Sequence, residues 1–144
     1  MNEWFDPAAA LPGLRGVAVH VLPAGREAEV RRVLEDAGFS IRVLEGRRAG
    51  TEASFFEEVA RTLHLEGPFG HNWDALQDVL GDLANGEDRR VALLWRDADR
   101  SFTGDAQTVV DAFVAFSRAA DDLAAEEAAT QLEVFLLGES PAFA

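Results

Sequence analysis

The chain has 144 residues, 48% hydrophobic and 27% charged, enough for one domain with a proper core and unlike a disordered or fibrous chain. It has no cysteine, which removes disulfides, thiolate catalysis and cysteine-based zinc sites. The net charge of −13, with 26 acids against 13 bases that are all Arg, excludes nucleic acid and anionic membranes as natural partners and favours a basic one. No apolar run approaches the roughly 18 residues of a membrane span and the opening Met1-Asn2-Glu3-Trp4 has no basic leader, so a cytoplasmic protein is expected.

Residues 1–16 carry Pro7, Pro12 and Gly13 and read as a lead-in segment that Trp4, Phe5 and Leu11 can anchor. Val17 to Leu22 is rich in β-branched residues and stops at Pro23, as a strand does. Gly25 to Ala37 predicts a helix with Ala28, Val30, Val33, Leu34 and Ala37 inward and Gly38 as its C-cap. Phe39 to Leu44 is the second strand. Thr51-Glu52-Ala53-Ser54 can cap a helix running to about Leu65, carried by Phe55, Val59, Ala60 and Leu63 and ended by Gly67-Pro68.

The next helix runs from Trp73 to about Leu83, and Asn85-Gly86 makes a turn. Val91 to Trp95 is apolar without alternation, as a buried parallel strand is. Asp105 to about Glu127 gives a long helix with Val109, Val110, Ala112, Phe113 and Phe116 in its first half, and Leu132 to Leu137 closes the sheet. Strands alternating with helices predict an α/β fold with a parallel sheet of about four strands and flanking helices, with Trp73, Leu76, Leu80, Leu93 and Phe113 in one core.

One stretch carries more than fold information. In Phe69-Gly70-His71-Asn72-Trp73-Asp74-Ala75-Leu76-Gln77-Asp78-Val79-Leu80, a glycine turn leads into a helix that Asn72 can cap. Trp73, Leu76, Val79, Leu80 and Leu83 share one face, which leaves Asp74, Asp78 and Asp82 together on the other. Acids at i and i+4 destabilise an isolated helix by about 0.2–0.5 kcal/mol per pair, and no Lys or Arg lies between Thr62 and Asp88 to offset them. Asp74 gains from the helix dipole in the first turn, but Asp78 and Asp82 do not. The plainer reading is a solvated face of a very acidic protein.

Residue identity shifts that balance. Gly70, Asn72, Asp74, Ala75, Leu76, Asp78 and Leu80, followed by a hydrophobic strand ending in Trp95-Arg96, resemble the signature of the barstar family of ribonuclease inhibitors. The resemblance spans about Phe39 to Gly138 and makes 17–144 a single barstar-like domain, with the first strand and helix as an N-terminal βα extension of the same sheet. It implies a protein that neutralises a basic ribonuclease, as the immunity partner of a bacterial ribonuclease toxin in a toxin-antitoxin pair, by laying an acidic helix and its preceding loop across a cationic active site. The implied partner-binding residues are Phe69, Gly70, His71, Asn72, Trp73, Asp74, Gln77, Asp78 and Asp82. Asp78 is the deepest phosphate mimic, Asp74 pairs with neighbouring cations, Gly70 and Asn72 shape the turn, and Trp73 and Gln77 add contact or tune specificity. Against the best-known member, which has two aromatics where this chain has Pro68-Phe69 and another where it has Gln77, and an acid on its next helix with no clear counterpart in Asp111 to Ala115, the departures point to a different or diverged target.

No catalytic residue, metal site or cofactor is expected, and the free chain is expected to be monomeric. His20, His64 and His71 lack zinc-ligand spacing, no phosphate-binding glycine loop follows a strand, and no serine sits in a nucleophile elbow. His71, beside the acidic helix, is either a plain surface histidine or one whose protonation weakens the acidic field. The alternative function is a barstar-fold interaction or regulatory module that binds a basic partner other than a ribonuclease.

Overall fold

A computed structural model describes residues 4–65 and 70–144. Its five-stranded sheet has the order β1-β2-β5-β4-β3, with β1 (Arg15–Val17), β2 (Val19–Pro23), β3 (Ser40–Glu45), β4 (Arg90–Arg96) and β5 (Gln131–Gly138). Strands β2 to β5 are the four parallel strands expected, with Val19 opposite Val134, Leu93 opposite Val134 on the other side, and Val43 opposite Leu94. Strand β1 is an addition: it runs antiparallel to β2, with Arg15 opposite Val21. The strand expected from Val17 is therefore two strands, folded back at Ala18, whose φ of 64° lies in the left-handed region. Gly16 next to it has φ 99°, and a Cβ there would stand 2.1 Å from the Val19 carbonyl oxygen, so only glycine fits the reversal.

Among the described residues six α-helices cover the sheet: α1 (Pro7–Ala10), α2 (Glu27–Asp36), α3 (Glu52–Thr62), α4 (Trp73–Gly81), α5 (Ala98–Gly104) and α6 (Ala106–Ala124). Alternation along the strands sends Val91, Leu93, Trp95, Val134 and Leu136 to one face, where they pack with Phe55, Leu76, Leu80 and Phe116 of α3, α4 and α6. Ala92, Leu94, Phe135 and Leu137 go to the other face, against Val30 and Leu34 of α2 and Leu11 of the N-terminal segment. The central strand β5 is buried along its whole length.

The N-terminal residues do more than lead in. Leu11 is fully buried, and the Phe5 backbone exchanges hydrogen bonds with the buried Gln131 side chain, N–H to Oε1 at 3.1 Å and Nε2 to carbonyl at 2.7 Å. Beside it, buried His20 of β2 meets Glu133 of β5 at 2.7 Å. The βα extension, β2 and α2, joins the main sheet through β5. It is also tied from α2: the Arg96 guanidinium donates to both Glu27 carboxylate oxygens, at 2.8 and 2.7 Å, and to Glu45 at 3.2 Å. The Arg96 hydrogen bond holds the Glu27 carboxyl below the usual carboxylate range, against the opposing effect of partial burial, and the same pair raises the Arg96 guanidinium.

Edge strand β3 is flanked by α3. The Val43 carbonyl accepts from Thr62 Oγ1 at 2.9 Å and from the Arg61 guanidinium at 3.4 Å, and the Glu45 N–H donates to buried Glu58 at 2.7 Å. Burial pushes the Glu58 carboxyl up, but its hydrogen bonds from Arg61 and from the Glu45 backbone outweigh that and leave it below the usual range.

Three sequence expectations are corrected. Ala28 is exposed because α2 begins only at Glu27, after a 3-10 turn over Ala24–Arg26. Phe113 and Val110 point outward: α6 buries Val109, Ala112, Ala115, Phe116, Ala119, Ala120 and Leu123 instead. Helix α5 was not expected, and it follows a left-handed Asp97 with φ 48°. The turn at Gly67-Pro68 lies outside the described residues.

Candidate functional site

The acidic helix forms as its sequence dictates. Asn72 is extended and its Oδ1 accepts from the Ala75 N–H at 2.8 Å, so one of the first-turn donors is satisfied. Leu76 and Leu80 are fully buried against the sheet, which fixes the rotation of α4 about its axis. Trp73 is half-buried, its ring 4.9 Å from Phe56 and 5.7 Å from Phe55 between centroids. With that face anchored, Asp74, Asp78 and Asp82 are all exposed, and none of them makes an ion pair among the described residues. Asp74 and Asp78 on α4 and Asp82 at its C-cap, where a 3-10 turn over Asp82–Asn85 begins, give a row about 12 Å long at 1.5 Å rise per residue.

The turn before the helix frames this row. Gly70 and His71 are exposed, the Asn72 N–H donates to the Gly70 carbonyl at 2.8 Å, and His71 stacks on Phe56 with centroids 5.9 Å apart. A Cβ at Gly70 would meet the Asn72 amide nitrogen at 3.3 Å and the Ala75 methyl at 3.4 Å, which is tight but clear of backbone. Phe69 and Pro68 lie outside the described residues.

Gln77 turns out to be engaged within the fold. It is half-buried, and its Nε2 donates to the Ala115 carbonyl of α6 at 2.8 Å, which pins α4 to α6. Beside that bond runs an open cleft of 290 Å³ lined by Trp73, Asp74 and Gln77 from α4 and by Asp111, Val114, Ala115 and Arg118 from α6. The structure thus brings His71, Asn72, Asp74, Asp78 and Asp82 to one surface, with Trp73 and Gln77 at its inner margin. Sequence reasoning passed over the outer side of α6. Its signal is the apolar trio Val110, Phe113 and Val114 at i, i+3 and i+4, of which the sequence reading places Phe113 in the core.

Chemically this surface presents carboxylates that form no ion pair among the described residues, with Arg118 of α6 lining the cleft beside Asp74, and such a surface suits an opposing Arg or Lys. Trp95 is structural: fully buried, it donates through Nε1 to Ser101 Oγ at 3.1 Å, and Ser101 in turn donates to the Gly46 carbonyl at 3.0 Å. Among the described residues no group of three or more His, Cys, Asp or Glu is placed to hold a metal ion, and no helix is long and apolar enough to cross a membrane. No curated protein matches the chain. The family model described as Barstar (barnase inhibitor) matches residues 39–136, about two thirds of the sequence, taking in β3 to β5 and the acidic helix and leaving the N-terminal βα unit outside. The sheet, the capped acidic helix and that match agree, and the chain belongs to the barstar family of ribonuclease inhibitors.

Proposed function

We propose that the chain inhibits a basic ribonuclease by covering its cationic active site with α4 and the turn at Gly70 to Asn72, and that it serves in the cytoplasm as the immunity partner of a bacterial ribonuclease toxin. The observation that carries this reading is the row of Asp74 and Asp78 on α4 and Asp82 at its C-cap, exposed and forming no ion pair among the described residues, on a helix locked by Leu76, Leu80 and the Asn72 cap. A ribonuclease site holds Arg, Lys and His placed for phosphates, so preset carboxylates can take the phosphate positions at little ordering cost. Asp78, in the middle of the row, is the phosphate mimic, and Asp74 and Asp82 meet the flanking cations. The −13 charge speeds the encounter.

The test is inhibition of RNA cleavage by barnase and by a panel of basic microbial ribonuclease domains, with the purified chain titrated against each. Stoichiometric inhibition of at least one, lost on Asp78→Ala, is the expected result. Binding of a basic protein without ribonuclease activity, and no inhibition across the panel, is the result that favours an interaction module instead.

A further inference from the structure

The acidic row is too small to be a whole interface. A specific protein complex takes about 20–30 residues a side. Helix α4 is nine residues long and spends Leu76 and Leu80 on the core. What lies next to it is apolar. Val110, Phe113 and Val114 form an outward stripe on α6, exposed to 49%, 38% and 48%, with Phe102 of α5 alongside at 51%. The stripe walls an open groove of 470 Å³ whose floor is Val21 and Leu136 of the sheet.

Two observations join this groove to the acidic row. Val114 lines both the groove and the 290 Å³ cleft that holds Asp74, so the two surfaces share a wall. The α4–α6 seam is fixed by the Gln77 to Ala115 bond, so they hold one relative position. The described N-terminal segment lies on the opposite face of the sheet, under Leu11, and Phe143 at the C-terminal turn serves as groove wall, so no described segment fills it. Charge at the margins is mixed: Asp111 and Arg118 line the cleft, and Asp99, whose Oδ2 accepts from the Glu139 N–H at 3.2 Å, lines the groove.

Resting on the ribonuclease reading, we propose that the groove between α5 and α6 is the second half of the same footprint, and that the partner carries an apolar side chain, ringed by basic residues, beside its cationic cleft. Carboxylates would set encounter and orientation. The apolar half would exclude water around them and set residence time, because charge pairs gain most when a surrounding apolar rim keeps solvent out. Specificity for one ribonuclease over another would then lie on α6, where one polar substitution costs the complex without touching the acidic row.

The experiment measures association and dissociation rates with a ribonuclease of the panel that the wild-type chain inhibits as the probe, for the wild-type chain, Asp78→Ala, and the double variant Phe113→Ser with Val114→Thr. The altered residues of the double variant are partly exposed, and a thermal melt checks that it stays folded; the single variant Val114→Thr, close to isosteric, serves if it does not. The expected result is at least tenfold faster dissociation for the polar variants, with the association rate and its salt dependence within twofold of wild type. Binding unchanged in the polar variants but weakened in Asp78→Ala overturns the groove proposal and leaves the ribonuclease reading standing. Wild-type chain that inhibits no ribonuclease of the panel overturns both. Concentration-dependent dimerisation of the wild-type chain, abolished by the polar variants, assigns the groove to a second copy and overturns the proposal as well.

Discussion

Asp78→Ala separates a binding residue from a stabilising one. In the free protein the Asp78 carboxylate is exposed and makes no ion pair among the described residues, so its removal deprives none of their buried groups of a contact. It relieves repulsion with Asp74 and Asp82, about 0.2–0.5 kcal/mol each before screening, and brings in a better helix former. The unfolding free energy should stay level or rise by up to about 1 kcal/mol, a melting shift of no more than about 4 °C at this size. In the proposed binding mode the same carboxylate would face Arg or Lys away from water, and truncation would leave those cations buried and unpaired. The expected loss is about 2 kcal/mol or more, roughly thirtyfold in Kd, mostly as faster dissociation. Such magnitudes were in part established on barnase and barstar themselves, so they carry over as the family's own behaviour and not as independent support. Asp121→Ala and Asp122→Ala remove equal charge from exposed positions near the end of α6 and should cost under about 0.5 kcal/mol each. Calorimetry on the four variants checks this. Equal losses at Asp74, Asp78, Asp121 and Asp122 would refute the reasoning and assign binding to bulk charge.

Association with a basic ribonuclease should slow steeply as salt rises, since fields beyond about 10 Å are screened at 0.1 M; stopped-flow rates flat across that range would remove steering from the mechanism. Glu27 and Glu58, both held below the ordinary carboxylate value of 4.5, contribute stability that is full above that value and lost as pH falls through it towards their folded values. Glu58→Gln should therefore cost about 1.5 kcal/mol at pH 7 and flatten the acid limb of a urea-midpoint against pH curve, with little loss at pH 3. Gly46→Ala should destabilise by about 2–3 kcal/mol in urea melts, because its Cβ would stand 2.2 Å from the Asp97 carbonyl oxygen and 2.3 Å from that of Arg96, both backbone atoms that cannot swing aside.

Where side-chain chemistry closes a local loop, the sequence was a sufficient guide. Asn72 caps α4, Thr51 and Ser54 exchange hydrogen bonds at 3.0 and 3.1 Å to start α3, and Gly38 with φ 81° ends α2, all within a few residues of chain. Strand β1 was hidden because Arg15, Gly16 and Val17 are all exposed and show no burial pattern; the strand exists only through its pairing with β2. Helix α6 misled because it is apolar on two sides. Its small residues Ala112, Ala115, Ala119 and Ala120 allow close approach to the sheet and α4, so they win the inner face over bulkier Phe113 and Val110, and periodicity alone cannot rank the two stripes. Gln77 reads as a surface residue until the seam with α6 is known, since its acceptor lies 38 residues away.

The flank of β3 bears on behaviour at high concentration. An open rim offers a row of N–H and C=O groups to which another chain can add a strand, the usual route to fibrils and swapped dimers. Here the Val43 carbonyl is occupied by Thr62 and Arg61 and the Glu45 N–H by Glu58, so an arriving strand would have to displace side chains that α3 holds in place. At the far rim β1 offers only three residues, Arg15 to Val17. With the Val43 carbonyl and the Glu45 N–H engaged at one rim and three residues offered at the other, the sheet leaves an arriving strand few free backbone partners.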